Sequence, residues 1–305
     1  MKKADITPEL VARLVAQQFP PWADLPISRV ELDGWDNTTF RLGAMMSVRL
    51  PSADTYVAQI DKEHRWLPVL RDHLPLPIPE PLAKGVPALG FPRPWSVYRW
   101  IEGEIATDET VGDLEQFARD LAAFLAALNR CDATHGPEAG PDSHMRGCPV
   151  AVWDRMTRGS LERLGGVIDT VGATEVWEAA LASRWERPPV WVHGDVAATN
   201  LLVREGRLSA VLDFGCSATG DPACDTVIAW TFFSGSSRAA FMGASPVDEA
   251  TWARGRGWAL WKALLELVTD QSDPGHAERA AVRQGWRFGP RQIVGDLIAE
   301  HRSLS

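Results

Sequence analysis

The chain has 305 residues, 45% hydrophobic and 23% charged, with a formal net charge of −9 and an isoelectric point near 5.3. That length suits two lobes better than one small core, and the acidic balance argues against nucleic acid, whose phosphates attract basic faces. It fits solubility alone equally well as an acidic cleft that draws a cationic small ligand. Cys131, Cys148, Cys216 and Cys224 form no C-x-x-C pair and read as reduced thiols of a cytoplasmic protein, not as a disulfide frame or zinc site. No run of 18 apolar residues marks a membrane span.

The opening stretch "MKKADITPELVARLVAQQF" lacks an apolar signal core and predicts an amphipathic helix starting at Thr7-Pro8. From about Ile27 to Gln59 the pattern is strand-like. "ISRVELDGWDNTTFRLG" has β-formers on both sides of a Gly/Asp/Asn/Thr turn, and "MMSVRLP" follows as a short strand. "YVAQIDKEHRWLPVLRDHL" then places Val57, Ile60, Trp66, Leu67 and Leu70 at helical spacing. Prolines at alternate positions in "PLPIPEPLAKG" break any helix there, and "WSVYRWIEGE" reads as a strand running into a glycine turn.

Beyond that turn the pattern changes. Asp113 to Arg130 is a periodic helix with Leu114, Phe117, Leu121, Phe124, Leu125 and Leu128 on one side. A Gly/Pro/His loop from Thr134 to Pro149 and further helices follow, then a strand–loop–strand–turn–strand unit over 190–214, then mostly helix to about Glu300. The chain is β-rich first and helix-rich second, with a seam near Tyr98 to Gly103: an α+β protein with lobes at residues 1–98 and 99–305.

The chemistry concentrates in "VWVHGDVAATNLLVREGRLSAVLDFG". "REGR" is a hairpin turn between "NLLV" and "LSAVLDF". A hairpin brings its open ends together, so Asn200 and Asp213 are expected to approach one another near Asp195. Such an oxygen set suits Mg²⁺ that also holds phosphate oxygens. His193-Gly194-Asp195, Asn200 and "LDFG" with Asp213 and Gly215, followed by "GDPACD", resemble the aminoglycoside phosphotransferase family, relatives of the protein kinases.

The resemblance is strong over about 190–230 and implies a protein-kinase-like two-lobe fold. It implies phosphoryl transfer from ATP or GTP, with Mg²⁺, to a hydroxyl of an antibiotic or similar small molecule. Asp195 would accept and orient that hydroxyl, Asn200 and Asp213 would hold Mg²⁺, and His193, the other candidate of the catalytic loop, would brace it by hydrogen bonding. Asp221 is explained as an N-cap followed by Pro222, and Asp225 would support the catalytic loop from below. On the nucleotide side, the turn from Asp33 to Phe40 has one glycine, Gly34, with Thr38 and Thr39 as phosphate contacts or as plain hairpin residues. Arg49 stands where kinase-like folds place a lysine, with Glu63 as its partner, although a guanidinium and an ammonium are not interchangeable. Backbone groups from Tyr98 to Trp100 would meet the base.

Residues 144–165 and 230–270 are the candidate walls of the acceptor site. There Glu266, Asp270 and Asp273 beside Trp258 and Trp261 would suit a polycationic sugar, or else "GWALWKALLELV" is simply a core helix. Other acceptors (a macrolide, an amino sugar or a choline-like alcohol) and a non-catalytic kinase-like nucleotide-binding protein stay open. A protein kinase fits less well, because "LDFG" runs almost directly into "GDPACD" and leaves no room for a peptide-docking loop.

Overall fold

In a computed structural model, residues 3–30 and 36–304 are described, and they fall into two compact units. The first comprises residues 1–73, 77–102 and 212–215; the second comprises 74–76, 103–211 and 216–305.

The first unit is an antiparallel five-stranded sheet with helices α1 (Pro8–Gln18) and α2 (Val57–Arg71). Its strands β1 (Ile27–Arg29), β2 (Asn37–Leu42), β3 (Met46–Pro51), β4 (Pro81–Gly85) and β5 (Trp95–Arg99) lie in the order β1-β2-β3-β5-β4. Thr7 caps α1 by accepting from the Leu10 N–H at 3.3 Å, with Pro8 at the first helical position. Val11, Leu14 and Val15 of α1 share one core with Phe40, Leu42, Val48, Leu50, Trp95 and Val97 of the sheet. Strand β4 went unseen in the sequence because its segment is proline-rich. Pro81 is tolerated because β4 is an edge strand, where a missing N–H leaves no neighbour unpaired. The turn containing Gly34 lies outside the described residues.

The second unit is mainly helical. It holds α3 (Leu114–Arg130), α4 (Asp154–Arg163), α5 (Thr170–Ala182), α6 (Ile228–Thr231), α7 (Gly235–Ala244), α8 (Glu249–Asp270), α9 (His276–Arg283) and α10 (Pro290–Leu304). Two small antiparallel sheets interrupt them: β6 (Glu104–Ile105), β8 (Leu201–Arg204) and β9 (Arg207–Val211) form one; β7 (Val190–Val192) and β10 (Ala218–Gly220) form the other. The β8–β9 hairpin turns at Glu205 and Gly206, both with positive φ (54° and 77°), the backbone a tight hairpin turn demands. Its open end pairs Leu201 with Val211. Asp113 caps α3 by accepting from the Gln116 N–H at 3.0 Å. The 22-residue α8 is the spine of this unit, packed on α5, α10, α4 and α9.

The N-cap expected at Asp221 opens a 3₁₀ turn and not an α-helix. Pro222–Thr226 is a 3₁₀ turn, and α6 is one short turn beyond it. Asp221 does cap that turn, accepting from the Ala223 N–H at 3.0 Å, but it has a larger task. It and Arg254 of α8 are both almost fully buried and meet as a fork, Nε to Oδ2 at 2.6 Å and Nη2 to Oδ1 at 3.2 Å. Arg254 spends further donors on the Ala250 carbonyl, Thr251 Oγ1 and Ser183 Oγ. Removing one partner of such a pair strands a buried charge. Arg254→Met is therefore expected to lower the unfolding free energy by about 3–5 kcal/mol, read from urea unfolding curves. A loss below about 1 kcal/mol, the size of a surface pair, would contradict this account.

Candidate active site

The catalytic-loop segment follows β7, and a single carboxylate shapes it. Asp225 is buried; its Oδ2 accepts from the His193 N–H at 2.8 Å and its Oδ1 from the Gly194 N–H at 2.7 Å. Burial raises the pKa of this carboxyl, while His193 and the two backbone donors pull the other way. Gly194 has φ +84°, and a Cβ there would sit 2.5 Å from the Cys216 carbonyl oxygen and 2.9 Å from Arg146 Cβ. Only glycine satisfies both the dihedral and the space.

His193 is fully buried, and its Nδ1 accepts from the Asp195 N–H at 3.2 Å. The ring thus orients the backbone of the residue beside it. Asp195 itself keeps 39% of its side chain exposed, enough for a ligand hydroxyl to reach it. Its Oδ1 receives Lys262 Nζ at 3.2 Å, and the Asn200 amide donates to its backbone carbonyl at 2.9 Å. Burial works against the charge of Asp195, but Lys262, then Arg146 and His193, outweigh it and hold the pKa below the ordinary aspartate range.

In the first unit a second cluster assembles around Arg49. Its Nη1 lies 3.5 Å from Glu63 Oε1 and its Nη2 3.4 Å from Asp213 Oδ1, with the guanidinium carbon 5.5 Å from the centre of the Tyr98 ring. The Tyr98 hydroxyl donates to Glu63 Oε2. Burial opposes the charge of Arg49, yet Glu63 and Asp213 overcome it and raise its pKa; burial raises that of Glu63, which Arg49 only partly offsets. Burial likewise pushes the Tyr98 phenol well up, and so it stays a donor.

Asp213 adopts φ +61°, with Oδ1 also accepting from the Gly215 N–H at 3.4 Å. No donor among the described residues occupies its Oδ2 or the Asn200 carbonyl oxygen. Both are hard oxygen donors of the type Mg²⁺ takes.

Several expected contacts are placed differently. Thr38 and Thr39 lie in β2, not in the turn before it. Strand alternation puts Thr38 on the core face with Phe40 and Leu42, fully buried and its hydroxyl unpartnered, and turns Thr39 to the other face. The Tyr98–Trp100 backbone has few donors to offer a base, because the Arg99 N–H bonds the Glu80 carbonyl at 2.9 Å and the Trp100 N–H bonds the Met45 carbonyl at 2.8 Å. The Tyr98 side chain holds Glu63 instead, and the Trp100 ring lies under Arg41 at 3.9 Å.

The carboxylates offered to a polycation are spent within the fold. Glu266 receives His276 Nε2 at 2.8 Å and Gln284 Nε2 at 2.6 Å, and Asp270 accepts from the Ala277 N–H at 3.1 Å. Asp273 pairs with Arg279 at 2.7 Å. Trp261 is buried and stacked on Trp153 at 4.2 Å, and Trp258 is fully buried. Lys262 and Arg146 were missed. The signal for Lys262 was a lone lysine among the apolar residues of "WALWKALLELV"; nothing local in the Thr134–Pro149 loop marks Arg146.

The chain belongs to the phosphotransferase enzyme family, which it matches over residues 27–258. Its fold is that of the kanamycin- and GDP-bound aminoglycoside phosphotransferase APH(2")-IIIa (TM-score 0.66, 15% identity, 97% of this chain and 99% of that one). It is also that of the macrolide 2'-phosphotransferase MphH from Brachybacterium faecium (TM-score 0.61, 22% identity, 90% and 98%). A curated relative, the uncharacterized protein YcbJ of Bacillus subtilis (strain 168), is 26% identical over 217 residues, which is 67% of this chain and 62% of that protein. None of the helices among the described residues is long and apolar enough to cross a membrane.

Lys262 is the cation that most depresses Asp195. Lys262→Met removes it while burial remains, so the Asp195 pKa rises and the acid limb of kcat/KM moves to higher pH. A profile from about pH 5 to 9 reads this directly; an unmoved acid limb would separate Lys262 from the ionisation of Asp195.

Proposed function

We propose that this chain transfers the γ-phosphate of ATP or GTP, with Mg²⁺, to a hydroxyl of a small molecule. The observation that carries the reading is the Asp195 carboxylate, kept ionised beside Lys262 and partly open to solvent. The acceptor hydroxyl hydrogen-bonds to Asp195, which orients its oxygen toward the γ-phosphorus and takes its proton; the new P–O bond forms as the bond to the β,γ-bridging oxygen breaks, and the nucleoside diphosphate leaves. His193 and Asn200 keep that carboxylate aimed through the backbone on either side of it. Asn200 and Asp213 are the proposed Mg²⁺ ligands, supported by their open oxygens. The ion, when bound, neutralises charge on the transferring phosphate. Arg49, held by Glu63, replaces the usual lysine toward the nucleotide phosphates and brings bidentate donors instead of a point charge.

The nucleotide requirement and four cysteines without a disulfide favour a cytoplasmic setting. An aminoglycoside-type antibiotic, with resistance as the outcome, has the kanamycin-bound relative in its favour. Against it, Glu266 and Asp270 are already engaged by α9. In a coupled nucleotide-turnover screen over hydroxylated small molecules, with both nucleotides, at least one acceptor is expected to be phosphorylated. Asp195→Ala is expected to lower kcat about 10²–10⁴-fold, with Mg²⁺–nucleotide still raising the melting temperature. Unchanged turnover in Asp195→Ala would sink the mechanism; nucleotide binding with no acceptor turned over would favour the binding-protein reading.

A further inference from the structure

Beside Asp195, the second unit gathers hydrogen-bond donors with nothing to receive them. Arg146 Nε and Nη1 are buried, and no described residue accepts from either. The guanidinium sits over two indoles of α8, 5.1 Å from the Trp261 ring centre and 5.4 Å from that of Trp258. Trp153 stacks on Trp261 and meets Trp258 edge-on, and the indole N–H groups of Trp153 and Trp258 are also buried without partners among the described residues. Thr157, at the first turns of α4, adds a buried unpartnered hydroxyl to the same unit.

Arginine and tryptophan side chains donate and never accept. A buried donor without an acceptor costs about 1–3 kcal/mol, more when charged, so such a set is stable only if a ligand or solvent fills it. The charge count points the same way. Lys262 is paired with Asp195 at 3.2 Å, whereas Arg146 feels the Asp195 charge without reaching ion-pair distance of any carboxylate among the described residues, and lies against the indole faces. The carboxylates that would have made this wall acidic, Glu266 and Asp270, are turned to α9. Arg146 is also tied to the reacting residue by position, because its Cβ abuts Gly194, the neighbour of Asp195.

The geometry points to an anion subsite at Arg146, which selects acceptors carrying a carboxylate or phosphate ester next to the reacting hydroxyl. This rests on the phosphotransfer reading above and runs opposite to a polycationic acceptor. The anion would take the Arg146 donors bidentately, and the indoles hold the guanidinium in place by cation–π contact.

The test uses the full chain and a panel of hydroxylated compounds in matched carboxylate, phosphate-ester, neutral and amine forms, with kanamycin among the amines. Binding is read by calorimetry and turnover by the coupled assay. Wild type is expected to favour the anionic forms over the neutral ones by at least about tenfold in kcat/KM, and the two anionic arms identify which anion it reads. Arg146→Gln is expected to lower the preference for anionic over neutral acceptors, read as their ratio of kcat/KM at one pH, about 10–100-fold, any loss that acts through Asp195 being common to every form, and Arg146→Lys to restore part of that ratio. Anionic forms that gain nothing over neutral ones, or a preference for amines, would overturn the subsite. So would an Arg146→Gln defect of equal size for every form, since that marks a structural role. If anion binding depends on Arg146 but no compound is phosphorylated, the subsite stands and the phosphotransfer reading falls.

Discussion

Much of the second unit depends on two hydrogen bonds to one buried carboxylate. Asp225 receives the N–H groups of His193 and Gly194, the two residues that set the direction in which Asp195 leaves β7. A carboxylate with no counter-cation within ion-pair distance is costly to bury, and the raised pKa of Asp225 records that cost. Backbone donors offset part of it, and they do so only when the loop takes this one conformation. The charge therefore acts as a template: another path of residues 193–195 would strip Asp225 of both backbone donors and leave it the weak Cys224 thiol. Gly194 is the matching constraint, since its φ of +84° and the close Cys216 carbonyl exclude a side chain.

The cluster in the first unit shows a different balance. Arg49 stands between Glu63 and Asp213, and its planar fork reaches both at about 3.4–3.5 Å, where a lysine ammonium would have to choose one. The long Glu63 contact is compensated by the Tyr98 hydroxyl, which fixes the other carboxylate oxygen. Arg49 is thus held by a glutamate that a tyrosine on a neighbouring strand fixes in turn. Arg49 and Tyr98 read from sequence as a departure and a backbone contact for the base; in the fold they and Glu63 form one cluster.

What was legible in the sequence follows from locality. The hairpin, the cap at Thr7, the α3 periodicity and the brace of His193 on the Asp195 backbone are properties of neighbouring residues, and all could be read in a short window. β4 was hidden because an edge strand tolerates the prolines that normally argue against pairing. The roles of Glu266 and Asp270 were misread for another reason. Carboxylates beside tryptophans in sequence are the same whether they face a ligand or a neighbouring helix, and only α9 decides it, through His276, Gln284 and the Ala277 N–H. Arg146 was invisible because its importance lies in what is absent, an acceptor, and a sequence does not display missing partners.

Helix α8 draws these pieces together. Arg254, Trp258, Lys262, Glu266 and Asp270 recur every fourth residue along it. Because 3.6 residues make a turn, this stripe drifts slowly around the axis instead of running straight. The drift carries the stripe from one neighbour to the next: Arg254 to Asp221, Trp258 to Arg146, Lys262 to Asp195, then Glu266 and Asp270 to α9. Arg254 and Lys262 are about 12 Å apart along the axis at 1.5 Å per residue, so the buried Arg254–Asp221 fork is a rigid anchor well clear of the chemistry. It fixes the register of the helix, and the register places the lysine against Asp195. A change at the anchor and a change at Lys262 should consequently disturb the same carboxylate by different routes, one by moving the helix and the other by removing its charge.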